Sequence, residues 1–331
     1  MKKRTFSTFL SLASAVLFSC GAYAQSSLLA TLNHQGTIST YYGAEALREA
    51  HEAATDGDVI TLSSGSFYAT DIKKAITLRG AGMTVNPVSH TEPTIINNNF
   101  TIEIKSPADN SVSGPSLTME GLYFGQTVTI NALKNAMFLK CRFSSINVYS
   151  GRKVSDLNFI HCRIANNIYM GADCTAEFLN SVVINPSRSN GRYTFTNCYV
   201  NVADLSNSKY TNCVIYSISG SRSSSLYYNN LYIPQSNGHI NTTNSTNVEL
   251  SSSDENAKSL IADYKDDNDY VLSEGAKALV KGTDGTEVGI HGGSLPYDPI
   301  PTNPQITKFN VAAKSTADGK LSVDIEVNSA N

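Results

Sequence analysis

Phe138-Leu139-Lys140-Cys141-Arg142-Phe143 and Phe159-Ile160-His161-Cys162-Arg163-Ile164 are two copies of one six-residue phrase. Four more follow: Phe178-Leu179-Asn180-Ser181-Val182-Val183, Phe195-Thr196-Asn197-Cys198-Tyr199-Val200, Tyr210-Thr211-Asn212-Cys213-Val214-Ile215 and Tyr227-Tyr228-Asn229-Asn230-Leu231-Tyr232. Each copy opens on an aromatic residue, has a small residue three positions later and an apolar one two beyond that. The copies start 15 to 21 residues apart. That is too short for two helices but enough for two or three short strands separated by bends, so each phrase predicts one coil of a parallel β-helix. Strand alternation turns the aromatic inward, and the small and apolar residues form a second inward pair after a bend. The bend falls on the third position. Asn180, Asn197, Asn212 and Asn229 suit it because Asn tolerates left-handed backbone. At a rung spacing of about 4.8 Å their side chains are expected to stack as a ladder.

Further coils are placed around Ile95 to Ile102, Leu117 to Phe124 and Val248 to Leu250, about ten in all and a rod roughly 45 to 50 Å long. Before the first coil, Tyr42 to Ala54 reads as a helix near 43–54 with Leu47, Ala50, His51 and Ala54 on one face, a cap over the open end of the rod. After the rod, 295–304 reads as a stiff Pro-rich linker. Residues 305–331 then carry alternating apolar residues as a C-terminal strand pair, which either docks on the rod or begins a sandwich domain.

Residues 1–24 read as an export signal: Lys2, Lys3 and Arg4, an apolar run from Phe6 to Phe18, and Ala22-Tyr23-Ala24 before Gln25. Cys20 also allows a lipid anchor. No other run approaches the roughly 20 apolar residues of a membrane span, so no transmembrane segment is expected and the protein is placed outside the cytoplasm, in the periplasm, at the cell surface or beyond. Charged residues are only 16% and net charge is −3, which gives no attraction to nucleic acid. Of six cysteines, five follow the signal, an odd number that rules out a complete disulfide framework. Four occupy the inward small position, where buried thiols or a cross-rung disulfide both fit. No His or second Cys stands at metal-ligand spacing, and no metal site is expected.

The run of helix, Gly57-Asp58-Val59-Ile60-Thr61-Leu62, Gly65-Ser66-Phe67 and Ile76-Thr77-Leu78-Arg79-Gly80-Ala81-Gly82 resembles the first coil of secreted bacterial β-helix proteins of the pectin lyase-like superfamily. Asp269 to Leu272, Gly275 to Leu279 and Gly282 to Gly293 resemble their closing segment. The resemblance spans roughly residues 40 to 294 and implies an all-β, right-handed parallel β-helix over 25–294. It implies little about activity, since that superfamily includes lyases, hydrolases, adhesins and non-catalytic proteins.

Chemistry is sought first where Lys140, Arg142, His161 and Arg163 gather on two consecutive rungs, with Asn147-Val148-Tyr149 and Asn167-Ile168-Tyr169 on the next strands. Cations for carboxylates, Tyr149 and Tyr169 for sugar rings and amides for hydroxyls make an inventory for an anionic glycan. A uronate lyase would need a Lys or Arg base and usually Ca²⁺ held by clustered carboxylates. The central rungs offer Glu120, Asp156, Asp173, Glu177 and Asp204 without a repeated Asp-x-Asp. The superfamily's hydrolase motifs are missing from consecutive rungs: Asp266-Asp267 lies beyond the repeats, and Gly238-His239-Ile240 lacks the final Gly. No catalytic residue is assigned. His34, His51, His90, His239 and His291 read as structural or solvated. Leu139, Ile160 and Leu179 fall on an outward position, and a cover over them is expected. The expected function is non-catalytic binding of glycan or another surface polymer, with no cofactor. The alternatives are a polysaccharide lyase, for which alone Ca²⁺ is expected, and an adhesin-like spacer.

Overall fold

The interior of the rod is built on the aromatic phrase. Phe138, Phe159, Phe178, Phe195, Tyr210 and Tyr227 form one column, with neighbouring rings 4.8–4.9 Å apart and 5–15° from parallel. Their strands pair parallel and in register, and Met119, Leu78 and Ile60 continue the column toward the N-terminus. The computed structural model describes residues 28–87, 89–104, 116–186, 191–203, 205–218, 224–234, 246–250, 269–302, 304–312, 314–316 and 318–328. The export signal 1–24 with Cys20, and Asp204, His239, Asp266 and Asp267, lie outside them. Over the described residues the chain is all-β, a parallel β-solenoid of about eight turns rather than ten, with two short helices.

Each turn bends at the third position of the phrase. Lys140, His161, Asn180, Asn197, Asn212 and Asn229 all have φ between 43 and 57°, and Gly121 holds the same place one rung earlier at 64°. The carbonyl before each bend already accepts a backbone N–H from the neighbouring rung, as Ile160 O does from Lys140 N at 2.8 Å and Thr196 O from Asn180 N at 3.0 Å. The small residue that follows the bend adds a side-chain donor. The Cys162 thiol donates to Phe138 O and Ile160 O at 3.2 and 3.4 Å, and the Cys198 thiol to Phe178 O and Thr196 O at 3.3 and 3.2 Å. The Ser181 hydroxyl donates to Phe159 O and Leu179 O at 3.2 and 2.9 Å. Asn230 Nδ2 donates to Tyr210 O at 3.1 Å. The column therefore selects a side chain that is small and carries a donor. Cys141, Cys162, Cys174, Cys198 and Cys213 are all free and buried. Burial pushes the Cys162 thiol up to about 12, so it keeps the proton it donates.

Helix α1, Ala46–Ala53, buries Ala46, Leu47, Ala50 and His51 against the first strands. Lys74 Nζ donates to the carbonyls of His51, Glu52 and Ala54 at 2.6–2.8 Å, a cation seated on the negative end of the helix. An antiparallel hairpin precedes α1. Leu29–His34 pairs with Thr37–Tyr42 and, on its other edge, antiparallel with Val59–Leu62. Its turn places Gln35 and Gly36 at φ 50 and 90°, both positive as a two-residue hairpin turn of the primed type requires.

At the other end, helix α2, Glu274–Leu279, is capped by Ser273, whose hydroxyl accepts from Ala276 N at 3.2 Å. The stretch 295–304 departs from its expected role as a linker. Leu295, Asp298, Pro301 and Thr302 all rest on the rod. Pro301 packs over Gly121 so closely that a Cβ there would lie 2.9 Å from the proline. The strand pair beyond it is antiparallel, Gln305–Val311 with Val323–Asn328, and leaves Val323, Ile325 and Val327 exposed.

Candidate functional site

Residues 281–302 run back along the rod as a strap laid over the column of bends. Asn229 Nδ2 donates to Lys281 O at 2.9 Å, and Asn212 exchanges two hydrogen bonds with Thr283, 2.9 and 3.2 Å. Asn180 Nδ2 donates to Ile290 O and Gly292 O at 2.7 and 2.8 Å. His161 Nε2 donates to Leu295 O at 3.1 Å. Lys140 Nζ reaches Asp298 Oδ2 at 2.8 Å and Ile300 O at 2.5 Å. Glu120 accepts from Thr302 N at 2.7 Å and Thr302 Oγ1 at 2.5 Å. Of the expected Asn ladder, Asn180, Asn212 and Asn229 bind the strap rather than one another. The reason is geometric: residues in the left-handed bend project outward, and the strap's main chain offers the stronger fixed acceptors there.

This geometry commits half of the expected basic site to the strap. Lys140 and His161 are buried. Burial holds the His161 imidazole below its ordinary value, so it serves as a neutral donor, and its ring meets Tyr297 edge-on at 6.0 Å. Arg142 and Arg163 do stack in register one rung apart, with the Arg142 guanidinium 4.6 Å from the Tyr123 ring centre. Burial lowers the pKa of Arg163, which lies close to Tyr270 and Tyr297, and burial raises that of Tyr297. Rings and strap occupy the ground on which a ligand was expected. Tyr149 and Tyr169 do not stack as expected, because a register shift between Phe143 and Ile146 aligns Tyr169 with Asn147. Tyr149 is left half exposed just past the paired strand.

The cover expected over Leu139, Ile160 and Leu179 is found one strand further on. Those three are half buried. A second apolar cluster forms where Val182, Tyr199, Val214 and Leu231 stack outward and are closed over by Tyr270, Leu272, Ala276, Val280, Val288 and Ile290, from the segment before α2 through to the strap. The signal for it lay in the position after the small residue, which changes from Arg142 and Arg163 to four apolar residues.

A groove of about 490 Å³ opens on the outer face of the strands that carry the aromatic column. Two outward columns line it. In one, Thr175 and Arg192 are in register and Asp156, a left-handed residue at φ 59° outside the paired register, is hydrogen-bonded to Thr175; the other runs Asn158, Glu177, Thr194, Lys209 in register. Asp156 is held in place: its backbone N donates to Thr175 Oγ1 at 2.8 Å, and its carboxylate accepts from Ser155 Oγ at 3.0 Å. Lys209 Nζ lies 5.6 Å from the centre of the Tyr228 ring. Asp156, Glu177, Arg192 and Lys209 are all exposed, and among the described residues none of the four is in an ion pair. The sequence contained these residues, but only the rung register shows that they share one surface. No group of three or more His, Cys, Asp or Glu is gathered at metal-binding distance among the described residues. Glu120, considered above as a carboxylate for catalysis, is 2% exposed and is held by the strap and by Arg79 at 3.6 Å.

The chain matches no family model, no curated protein and no solved structure.

Proposed function

We propose that this chain is an exported, non-catalytic glycan-binding rod of the right-handed, pectin lyase-like kind, and that it holds its ligand in the groove rather than at the basic rungs. The observation that carries this reading is the groove itself: two carboxylates and two cations with no ion partner among the described residues, interleaved with Thr and Asn, on a parallel sheet. Sugars are recognised by this mixture of amides, hydroxyls and charge-assisted donors. The regular strand spacing offers equivalent positions to successive units of an extended polymer. The leader 1–24 and the resemblance of residues 40–294 to secreted β-helices support export.

A glycan array on the purified mature chain tests the reading. Binding that falls in Glu177→Gln and Lys209→Gln variants supports it, and an array on which no glycan binds, or on which these variants bind unchanged, refutes it. A second reading, a polysaccharide lyase, draws on the same groove, because Arg192 and Lys209 next to Asp156 and Glu177 supply both cations for a uronate and groups able to move a proton. Ultraviolet-absorbing unsaturated uronate appearing from an acidic polysaccharide would favour the lyase.

A further inference from the structure

The groove's charges are ordered, and the order specifies a ligand class. In the first column an acid and a base, Asp156 and Arg192, are separated by Thr175, whose hydroxyl accepts from Asp156 N at 2.8 Å and which pairs in register with Arg192. In the second, Glu177 and Lys209 are separated in the same way by Thr194. Acid and base within each column are thus two rungs apart, about 9.6 Å; Glu177 and Arg192 are diagonal neighbours on adjacent rungs, and no ion pair joins them. The second column repeats the pattern one rung further along. The groove therefore presents a negative half over the rungs of Asp156 and Glu177 and a positive half over those of Arg192 and Lys209. A purely anionic polymer would be repelled by the first half, and a purely cationic one by the second. Resting on the glycan-binding reading, we infer that the groove takes a zwitterionic glycan, one carrying free ammonium groups and carboxylate or phosphate groups along the same chain. Its ammonium groups face Asp156 and Glu177, its anionic groups face Arg192 and Lys209, and its hydroxyls face Thr175 and Thr194.

Four β-linked glucan derivatives separate the possibilities by calorimetry at low salt: carboxymethyl chitosan with both charges, carboxymethyl cellulose with carboxylates only, chitosan with ammonium only, and hydroxyethyl cellulose with neither. The full mature chain is expected to bind carboxymethyl chitosan about tenfold tighter than either singly charged polymer, the gain that several exposed ion pairs together provide. Asp156→Asn with Glu177→Gln should remove that gain and leave carboxymethyl cellulose binding no weaker. Arg192→Gln with Lys209→Gln should remove the same gain and leave chitosan binding no weaker. All four positions are exposed, and unchanged thermal unfolding confirms that the variants fold. Carboxymethyl chitosan binding no tighter than both singly charged polymers, or both double variants weakening all ligands equally, overturns the inference while leaving glycan binding intact. If none of the four polymers binds, the glycan reading falls with it. Groove-dependent binding of an alternating Lys-Glu peptide in their place overturns both.

Discussion

Phe178→Ala tests whether the aromatic column is what holds the rungs together. The Phe178 ring lies 4.8 Å from Phe159 and 4.8 Å from Phe195, 7 and 11° from parallel, and is 1% exposed. Truncating a buried Phe to Ala costs about 3–5 kcal/mol, the spread reflecting how far the site can collapse. Collapse is restricted here, because Phe159 and Phe195 belong to strands whose spacing is fixed by their own hydrogen bonds to the strand of Phe178. The void cannot close without breaking ladder bonds on both sides, and each stacked pair contributes about 0.5–1.5 kcal/mol beyond its burial. The expected loss is thus in the upper half of the range, about 4–5 kcal/mol, and Phe178→Leu, which keeps most of the volume, should lose about 1–2 kcal/mol. Urea unfolding followed by circular dichroism measures both, with an unchanged m-value as the sign that the native rod persists. A Phe178→Ala loss below about 2 kcal/mol would mean that the rungs can close over the gap, and the column would then be filling rather than framework.

At the small position the donor should outweigh hydrophobicity. Cys198→Ser is expected to stay within about 1 kcal/mol of the parent because Ser181 already makes the same pair of bonds, whereas Cys198→Val should cost about 0.5–1.5 kcal/mol by removing the side-chain donor to Phe178 O and Thr196 O; thermal unfolding that ranks Val above Ser refutes this. Burial, with Lys74 and Lys73 adding to it, lowers His51 from its ordinary 6.5 to about 4, and its Nε2 accepts from Lys73 N at 3.3 Å. A depressed folded pKa means that the unfolded chain binds the proton first, so this stability is complete above pH 6.5 and is lost as pH falls toward 4. A melting temperature whose slope over that window is the same in His51→Gln would show that His51 is not its source. Lys140→Met should loosen the strap, costing about 1.5–3 kcal/mol for its charge-assisted bonds and raising hydrogen exchange at the amides of residues 295–302; exchange unchanged there would mean that the strap is held elsewhere.

The parts of this fold that could be read from the chain are those with a period. The aromatic column, the left-handed bends and the inward small residues each recur at every rung, so one correct reading fixes six. The face of α1 was legible for the same reason, through the spacing of Leu47, Ala50, His51 and Ala54. What lacked a period was missed or read otherwise. The hairpin Leu29–Tyr42 turns on Gln35-Gly36, a weaker signal than Asn-Gly. The strap makes single contacts across more than a hundred residues, as Asn180 does with Ile290, and its prolines resemble those of a free linker. The groove was missed for a subtler reason. Asp156 falls beside Thr175 and Arg192, and Glu177 aligns with Thr194 and Lys209, only once each coil's length is known, and coil lengths vary by several residues.

The two charged surfaces of the rod differ in how their charge is satisfied, and that difference separates structure from binding. Lys140 and Arg142 stand one rung from His161 and Arg163, an arrangement that repels if left open to solvent. The strap resolves it by bringing Asp298 to Lys140, backbone carbonyls to Lys140 and His161, and Tyr297 to the neighbourhood of Arg163. His161 gives up its charge by burial. The same economy recurs where Arg79 meets Glu120 and where Lys277 meets Glu274 and Glu287 at 3.1 and 3.4 Å. In the groove, acids and bases of opposite sign stand on neighbouring rungs of the sheet, yet each points to solvent. The cationic rungs are closed by a dedicated segment, whereas these four charges are exposed and solvated, which is why the proposed ligand is placed at the groove and not at the basic rungs.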